Sequence, residues 1–169
     1  ITGTDEKGNN LSYDETLHRL LARETVDTVE RNVLVSHQFY LPVGKSADEV
    51  ERMDSEIRTV GNIDEVSVEV LQLFDYAALG HIHKPMKVGS EVARYCGTPL
   101  ACSVSEEKKK KGVIEVELGA KGQVQTRVLP LHPLRQIRVL RGTAAEVLAQ
   151  ACDDYVSVML TDLPDFDTQ

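Results

Sequence analysis

With 169 residues, 41% of them apolar, and a formal charge of −8, the chain can bury one sizeable core and little more than one domain. The acidic balance excludes a generic protein that coats nucleic-acid phosphates from a uniformly basic face, so any contact with DNA must be local. No apolar run reaches about 18 residues and no basic-then-apolar leader opens the chain, so neither a membrane span nor a secretion signal is expected.

Residues 1–11 are rich in Gly, Asn and charge, lack periodicity and do not begin with Met, and they read as a cut end. Ser12 and Glu15 then form a capping box, and Tyr13, Leu17, Leu20 and Leu21 place apolar groups on one face of a helix from about Tyr13 to Arg23. His18 lies beside that face and reads as structural. From Arg31 the pattern changes to Asn32-Val33-Leu34-Val35-Ser36-His37-Gln38-Phe39, a short β-branched run bounded by polar residues that predicts a buried strand and delivers a histidine near its end. Residues Tyr40 to Asn62 are long, acidic and poorly periodic, and read as a surface excursion. At its end, Gly61-Asn62-Ile63-Asp64 resembles a Gly-Asn-His-Asp metallophosphoesterase signature without its histidine and on the wrong side of His37, and so reads as a decoy. Val68, Leu71 and Phe74 predict a short amphipathic helix feeding the next strand.

That strand ends at Gly80, in the apolar run Phe74-Asp75-Tyr76-Ala77-Ala78-Leu79-Gly80, and leads straight into His81-Ile82-His83-Lys84-Pro85. Side chains at i and i+2 share a face wherever backbone is extended, so His81 and His83 can reach one small volume past the strand end. Neutral imidazole is the commonest metal ligand, and Gly80 is expected to let the chain turn there while Pro85 stops the strand. A His-x-His pair alone also fits two surface loop histidines. The balance moves because His37 likewise ends a predicted strand, and α/β sheets place ligands at that end. His37, His81 and His83 are therefore the candidate metal ligands.

Beyond Pro85 the texture predicts a β-meander: Met86–Val88, Val92–Cys96, Leu100–Val104, Gly112–Leu118 and Gln123–Leu129, with Gly-containing turns between. Lys108 to Lys111 read as a solvated edge, with a phosphate clamp as the alternative. Pro130-Leu131-His132-Pro133 is a hinge, and His132 a linker residue. A strand at Arg135–Leu140, a helix capped by Thr143 and Glu146 through about Ala151, and a strand at Tyr155–Leu160 then form a βαβ piece. Cys96, Cys102 and Cys152 lack metal-knot spacing and sit among apolar neighbours, which suits buried thiols in a reducing cytoplasm.

Three ordered motifs carry a more specific signal: His37 in Val-Ser-His-Gln-Phe, the Asp75-to-Pro85 element around Gly-His-Ile-His, and Arg94-Tyr95-Cys96-Gly97-Thr98-Pro99 followed by Ser103-Val104-Ser105-Glu106. Together they resemble the bacterial SbcD nuclease-subunit family of calcineurin-like metallophosphoesterases, from about Ser12 to Thr161. The resemblance implies an α/β fold: a partial two-layer metallophosphoesterase β-sandwich with flanking helices in residues 1–131, then an incomplete βαβ capping domain in residues 132–169. It further implies that His37 and His81 hold one metal and His83 a second, with Mn²⁺ the expected ion and Mg²⁺ the alternative. The implied work is ATP-dependent double-strand exonuclease and single-strand or hairpin endonuclease action in DNA repair, recombination and replication. The implied partners are DNA, an SbcC-type ATPase subunit and, in the intact protein, a second copy of itself, in the cytoplasm.

The family's Asp-x-His, Gly-Asp and Gly-Asn-His-Asp segments should precede Tyr13, and they do not. No catalytic residue is therefore assigned in this chain, and alone it is expected to be inactive. Two rival readings remain: a related phosphoesterase acting on a nucleotide or phosphoprotein, and a non-catalytic scaffold that binds DNA or the ATPase.

Overall fold

A computed structural model describes residues 3–41 and 65–162. In chain order its elements are α1 (Tyr13–Leu21), β1 (Val33–His37), β2 (Phe39–Leu41), β3 (Glu65–Ser67), β4 (Tyr76–Gly80), β5 (Met86–Val88), β6 (Ser90–Tyr95), β7 (Gly112–Leu118), β8 (Val124–Pro130), β9 (Ile137–Gly142), α2 (Ala144–Leu148) and β10 (Tyr155–Leu160). Short 3₁₀ helices cover Val68–Leu73 and Val104–Glu106. The chain is thus mixed α/β. The decoy at Gly61–Asp64 lies outside the described residues.

Helix α1 begins where its capping box predicts. The Ser12 hydroxyl accepts the Glu15 N–H at 3.1 Å and the Glu15 carboxylate accepts the Ser12 N–H at 3.0 Å, which satisfies two backbone donors at that end. Leu17 is buried with Tyr13 and Leu21 packed alongside, but Leu20 faces outward, so the apolar stripe is narrower than the sequence suggests.

The main sheet has the order β1-β4-β6-β5. Strands β1, β4 and β6 run parallel, in a register that sets His37 opposite Gly80 and Leu79 opposite Tyr95, while β5 returns antiparallel on β6. Two expectations need correction here. Among the described residues, strand β1 lies at the edge of the sheet and is not a buried strand, and Val35 is 81% exposed, because only Leu34 and Ser36 turn toward the interior. The β-meander is also broken, since β6 crosses to pair with β4. Leu100–Val104 is irregular and turns into a 3₁₀ helix. Alternating short runs give the same local signal in either topology.

The core lies between one face of this sheet, α1, the parallel pair β2–β3 and the 3₁₀ helix at Val68–Leu73. Phe39, Tyr40 and Leu41 are all buried, so the predicted surface excursion opens with a core strand, and residues 42–64 of that stretch lie outside the described residues. Three residues are too few to show a period. The hairpin β7–β8 is fastened to the amino-terminal end of the sheet by Asp75, whose carboxylate accepts from Asn32 N–H at 2.8 Å, Lys121 Nζ at 2.6 Å and Gly122 N–H at 3.2 Å. Those donors, the Lys121 ammonium first, pull the Asp75 pKa down from 3.8 to about 2.

The unit β9-α2-β10 is the expected βαβ piece, with β9 and β10 parallel and α2 capped by Thr143 and Glu146 but ending at Leu148. Leu140 is buried there, whereas Leu148, Tyr155 and Met159 are exposed. All three cysteines are free and exposed, which corrects the reading of buried thiols. Apolar neighbours in sequence do not make an apolar environment when the backbone is irregular, as it is around Cys96, Cys102 and Cys152. No helix among the described residues is long and apolar enough to cross a membrane.

Candidate metal centre

The parallel strands β1, β4 and β6 all finish on one edge of the sheet, the edge at which such sheets place their ligands. Strand β1 delivers His37 there, and β4 delivers His81 one residue past Gly80. The two imidazoles meet edge to face, with centroids 5.6 Å apart and planes at 86°. Phe39 lies against His81 with centroids 6.1 Å apart.

Gly80 makes this approach possible. A Cβ at that position would lie 2.6 Å from His37 Nδ1, closer than real contacts allow. The glycine therefore provides room, and the turn falls one residue later: His81 carries a φ of 101°, a conformation that costs a non-glycine residue on the order of 1–3 kcal/mol. Such strain gathers at functional sites, where surrounding packing holds it. It also means that the extended backbone assumed for His81 and His83 stops at Gly80. Ile82, between them, is buried, while both histidines are half-buried.

The separation of the first pair of rings is of the size that two ligands of one ion would show. An imidazole nitrogen bonded at about 2.1 Å puts its ring centroid about 3.2 Å from the ion, so two such rings stand about 5 Å apart at an open angle. The observed 5.6 Å is close to that figure.

His83 faces a different neighbourhood. Its Nδ1 lies 3.7 Å from Glu106 Oε1, and among the described residues His83, Cys102 and Glu106 form the one group of three His, Cys, Asp or Glu donors within 4.8 Å of one another. Glu106 is fully buried. Its Oε2 accepts from Lys111 Nζ and from Thr98 Oγ1 at 3.2 Å, and its Oε1 accepts from Ser103 Oγ at 3.1 Å. Lys111 also donates to Thr98 Oγ1 at 2.7 Å. Lys111 is thus the buried end of a run whose other members, Lys108 to Lys110, are exposed, which corrects the reading of four solvated lysines.

The third motif supports both halves of the site. Tyr95, buried, donates its hydroxyl to Gln38 O at 2.9 Å and accepts the Tyr40 N–H at 2.7 Å, pinning the chain immediately after His37. Burial pushes the Tyr40 phenol up, against the opposing pull of its hydrogen bond with Ser36 at 2.7 Å. Gly97, with φ of 76°, lies so close to the histidine loop that a Cβ would meet His83 O at 2.8 Å, and the next N–H, of Thr98, donates to that oxygen at 3.3 Å. Sequence reasoning named these residues only as a resemblance and assigned them no role. A glutamate followed five residues later by a lysine carries no signal of burial.

The other histidines stand apart from these contacts. His18 sits on α1 with Nε2 3.5 Å from Asp14 Oδ1. His132, exposed in the link after β8, lines a cavity of about 540 Å³ with Lys108, Lys109, Lys110 and Arg135.

No protein-family model matches the chain. Over 82% of its length it is similar to the D subunit of the SbcCD nuclease of two staphylococci. It is 26% identical over 141 residues to that of Staphylococcus epidermidis and 32% identical over 142 residues to that of Staphylococcus saprophyticus. The chain spans only 36% of the length of each of these relatives. The similarity to these D subunits is confined to that share of their length.

Proposed function

We propose that this SbcD-like chain forms the carboxyl-terminal part of a calcineurin-like metallophosphoesterase domain, followed by the start of its cap, in a nuclease subunit that hydrolyses DNA phosphodiesters with an SbcC-type ATPase partner. The observation that carries this reading is the His37 ring seated over Gly80 and against His81 at the edge where the parallel strands of the sheet end. In the intact subunit, a homodimer in this reading, His37 and His81 hold one Mn²⁺ and His83 a second, with Mg²⁺ as the alternative ion. A pair of such ions supplies Lewis acidity toward the phosphate and a water of lowered pKa. The residues of this chain do the aiming: Gly80 admits the His37 ring, Tyr95 fixes the backbone beyond it, and Gly97 with Thr98 supports the His83 carbonyl. Three imidazoles lack the carboxylate bridge that two hard cations require, so the bridging ligand and the proton donor belong to the remainder of such a subunit.

Manganese titration of the isotopically labelled chain tests the ligand assignment, because a bound paramagnetic ion broadens nearby ring signals. His37 and His81 broaden first, and His18 and His132 stay sharp. Uniform broadening of all histidines, or none at millimolar Mn²⁺, refutes the assignment. Nuclease activity that appears only when a separately produced amino-terminal part of an SbcD protein is added tests the enzymatic reading. Its absence from an assembled complex refutes that reading.

A further inference from the structure

We propose that Glu106 is a positioning residue for His83, holding the Nδ1 edge of the imidazole so that Nε2 is the nitrogen offered to a metal. The part about the metal rests on the reading above; the orientation of the ring does not. The geometry begins with a carboxylate that no solvent reaches, which is tolerable only when its oxygens are fully engaged. Lys111 and Thr98 engage Oε2, while Ser103 engages Oε1. Those contacts come from three separate stretches of chain, so the carboxylate cannot swing without breaking several of them at once. Oε1 is left facing His83 Nδ1 at 3.7 Å, longer than a hydrogen bond and within ion-pair range.

A neutral imidazole carries one proton, and the field of a carboxylate facing Nδ1 favours the tautomer with the proton there, which leaves the other nitrogen as the ligand. Carboxylates placed behind ligating histidines in this way fix both the tautomer and the ring plane. The alternative use of the same atoms, a cation held by His83, Cys102 and Glu106 together, meets an electrostatic objection. The ammonium of Lys111, itself buried, already neutralises Glu106 and would repel a divalent ion a few ångströms away.

The test is long-range proton–nitrogen NMR of the labelled 169-residue chain at a pH well above the ordinary imidazole range. His83 is expected as the Nδ1–H tautomer, with exposed His132 as the internal reference. Glu106→Met combined with Lys111→Met removes both buried charges together, so neither is stranded. In that variant His83 takes on the tautomer mixture of His132, and its apparent Mn²⁺ affinity falls about 10–100-fold while broadening at His37 persists. An Nε2–H tautomer at His83 in the unaltered chain overturns the proposal whether or not the double variant folds. An unchanged tautomer in a folded double variant overturns it as well. An Nδ1–H tautomer together with a His83 signal that Mn²⁺ never broadens sinks the metal reading instead and leaves the orientation standing. Cys102→Ser leaves both signals unchanged; a loss of binding there would favour the three-residue cation site and overturn the positioning role.

Discussion

Replacing Gly80 with Ala separates the stability of the fold from the geometry of the site. The added Cβ would stand 2.6 Å from His37 Nδ1, 3.4 Å from Cε1 and 3.5 Å from Cγ, whereas unstrained contacts between such atoms lie near 3.5 Å. The ring must therefore retreat by about 1 Å. His37 is exposed, so it swings outward without disturbing the core, and an alanine in a strand recovers about 0.5–1 kcal/mol relative to glycine. Net stability thus stays within about 1 kcal/mol of the starting chain. A ligand displaced by about 1 Å, by contrast, exceeds the roughly 0.5 Å tolerance of a coordination site. Affinity for Mn²⁺ at the His37–His81 pair should then fall about 10–100-fold. Urea unfolding measures the first quantity, and relaxation of the His81 ring signals during Mn²⁺ titration measures the second. If Gly80→Ala binds Mn²⁺ as tightly as the starting chain, the claim that this glycine exists to admit His37 is wrong.

His81→Gly should relieve the strain of φ 101° and raise stability by up to about 1 kcal/mol, while His37 loses its Mn²⁺-induced broadening; a destabilised variant would show that the His81 ring packs more than it strains. Tyr95→Phe removes an acceptor from the Tyr40 N–H and a donor to Gln38 O, so unfolding should cost about 1–3 kcal/mol less, with faster amide exchange at Tyr40 than in the parent. The depressed Asp75 pKa sets a pH dependence. A carboxylate whose folded value lies near 2 and ordinary value at 3.8 stabilises fully above about pH 4 and loses that contribution as pH falls toward 2. The stability gap between the parent chain and Asp75→Asn, followed by unfolding across that range, should close with acid; a constant gap would deny the Lys121 and Asn32 contacts their role.

Much of the scaffold is legible because its signals are local. Two capping boxes start two helices, and a β-branched run ending in His37 and an apolar run ending in Gly80 become the parallel strands that carry the histidines to one edge. The failures share one physical cause, which is that burial is decided by distant parts of the chain. Three residues of β2 are core because they pair with β3 across residues 42–64, and nothing in Phe39-Tyr40-Leu41 encodes that pairing. Cys96 and Cys102 have apolar neighbours in sequence yet lie exposed. Lys111 looks like its three lysine neighbours until Glu106 arrives from inside the fold. Even Gly80 was readable only as a turn, because the ring that needs its missing Cβ comes from the adjacent strand.

The two halves of the candidate site are consequently held by different forces, and they should fail separately. The His37–His81 contact follows from strand register, since β1 and β4 pair over their whole length and place His37 opposite Gly80 by backbone hydrogen bonding alone. His83 has no such ladder beneath it. Its carbonyl rests on Thr98 N–H, its ring on Glu106, and Glu106 in turn on a buried ammonium. A buried ion pair contributes little net stability but is costly to break on one side only, so it acts as an all-or-none latch on the loop. Changes in Gly97, Thr98 or Lys111 should thus release His83 while leaving the ring contact of His37 with His81 intact, and a two-ion centre built here would lose its second ion long before its first.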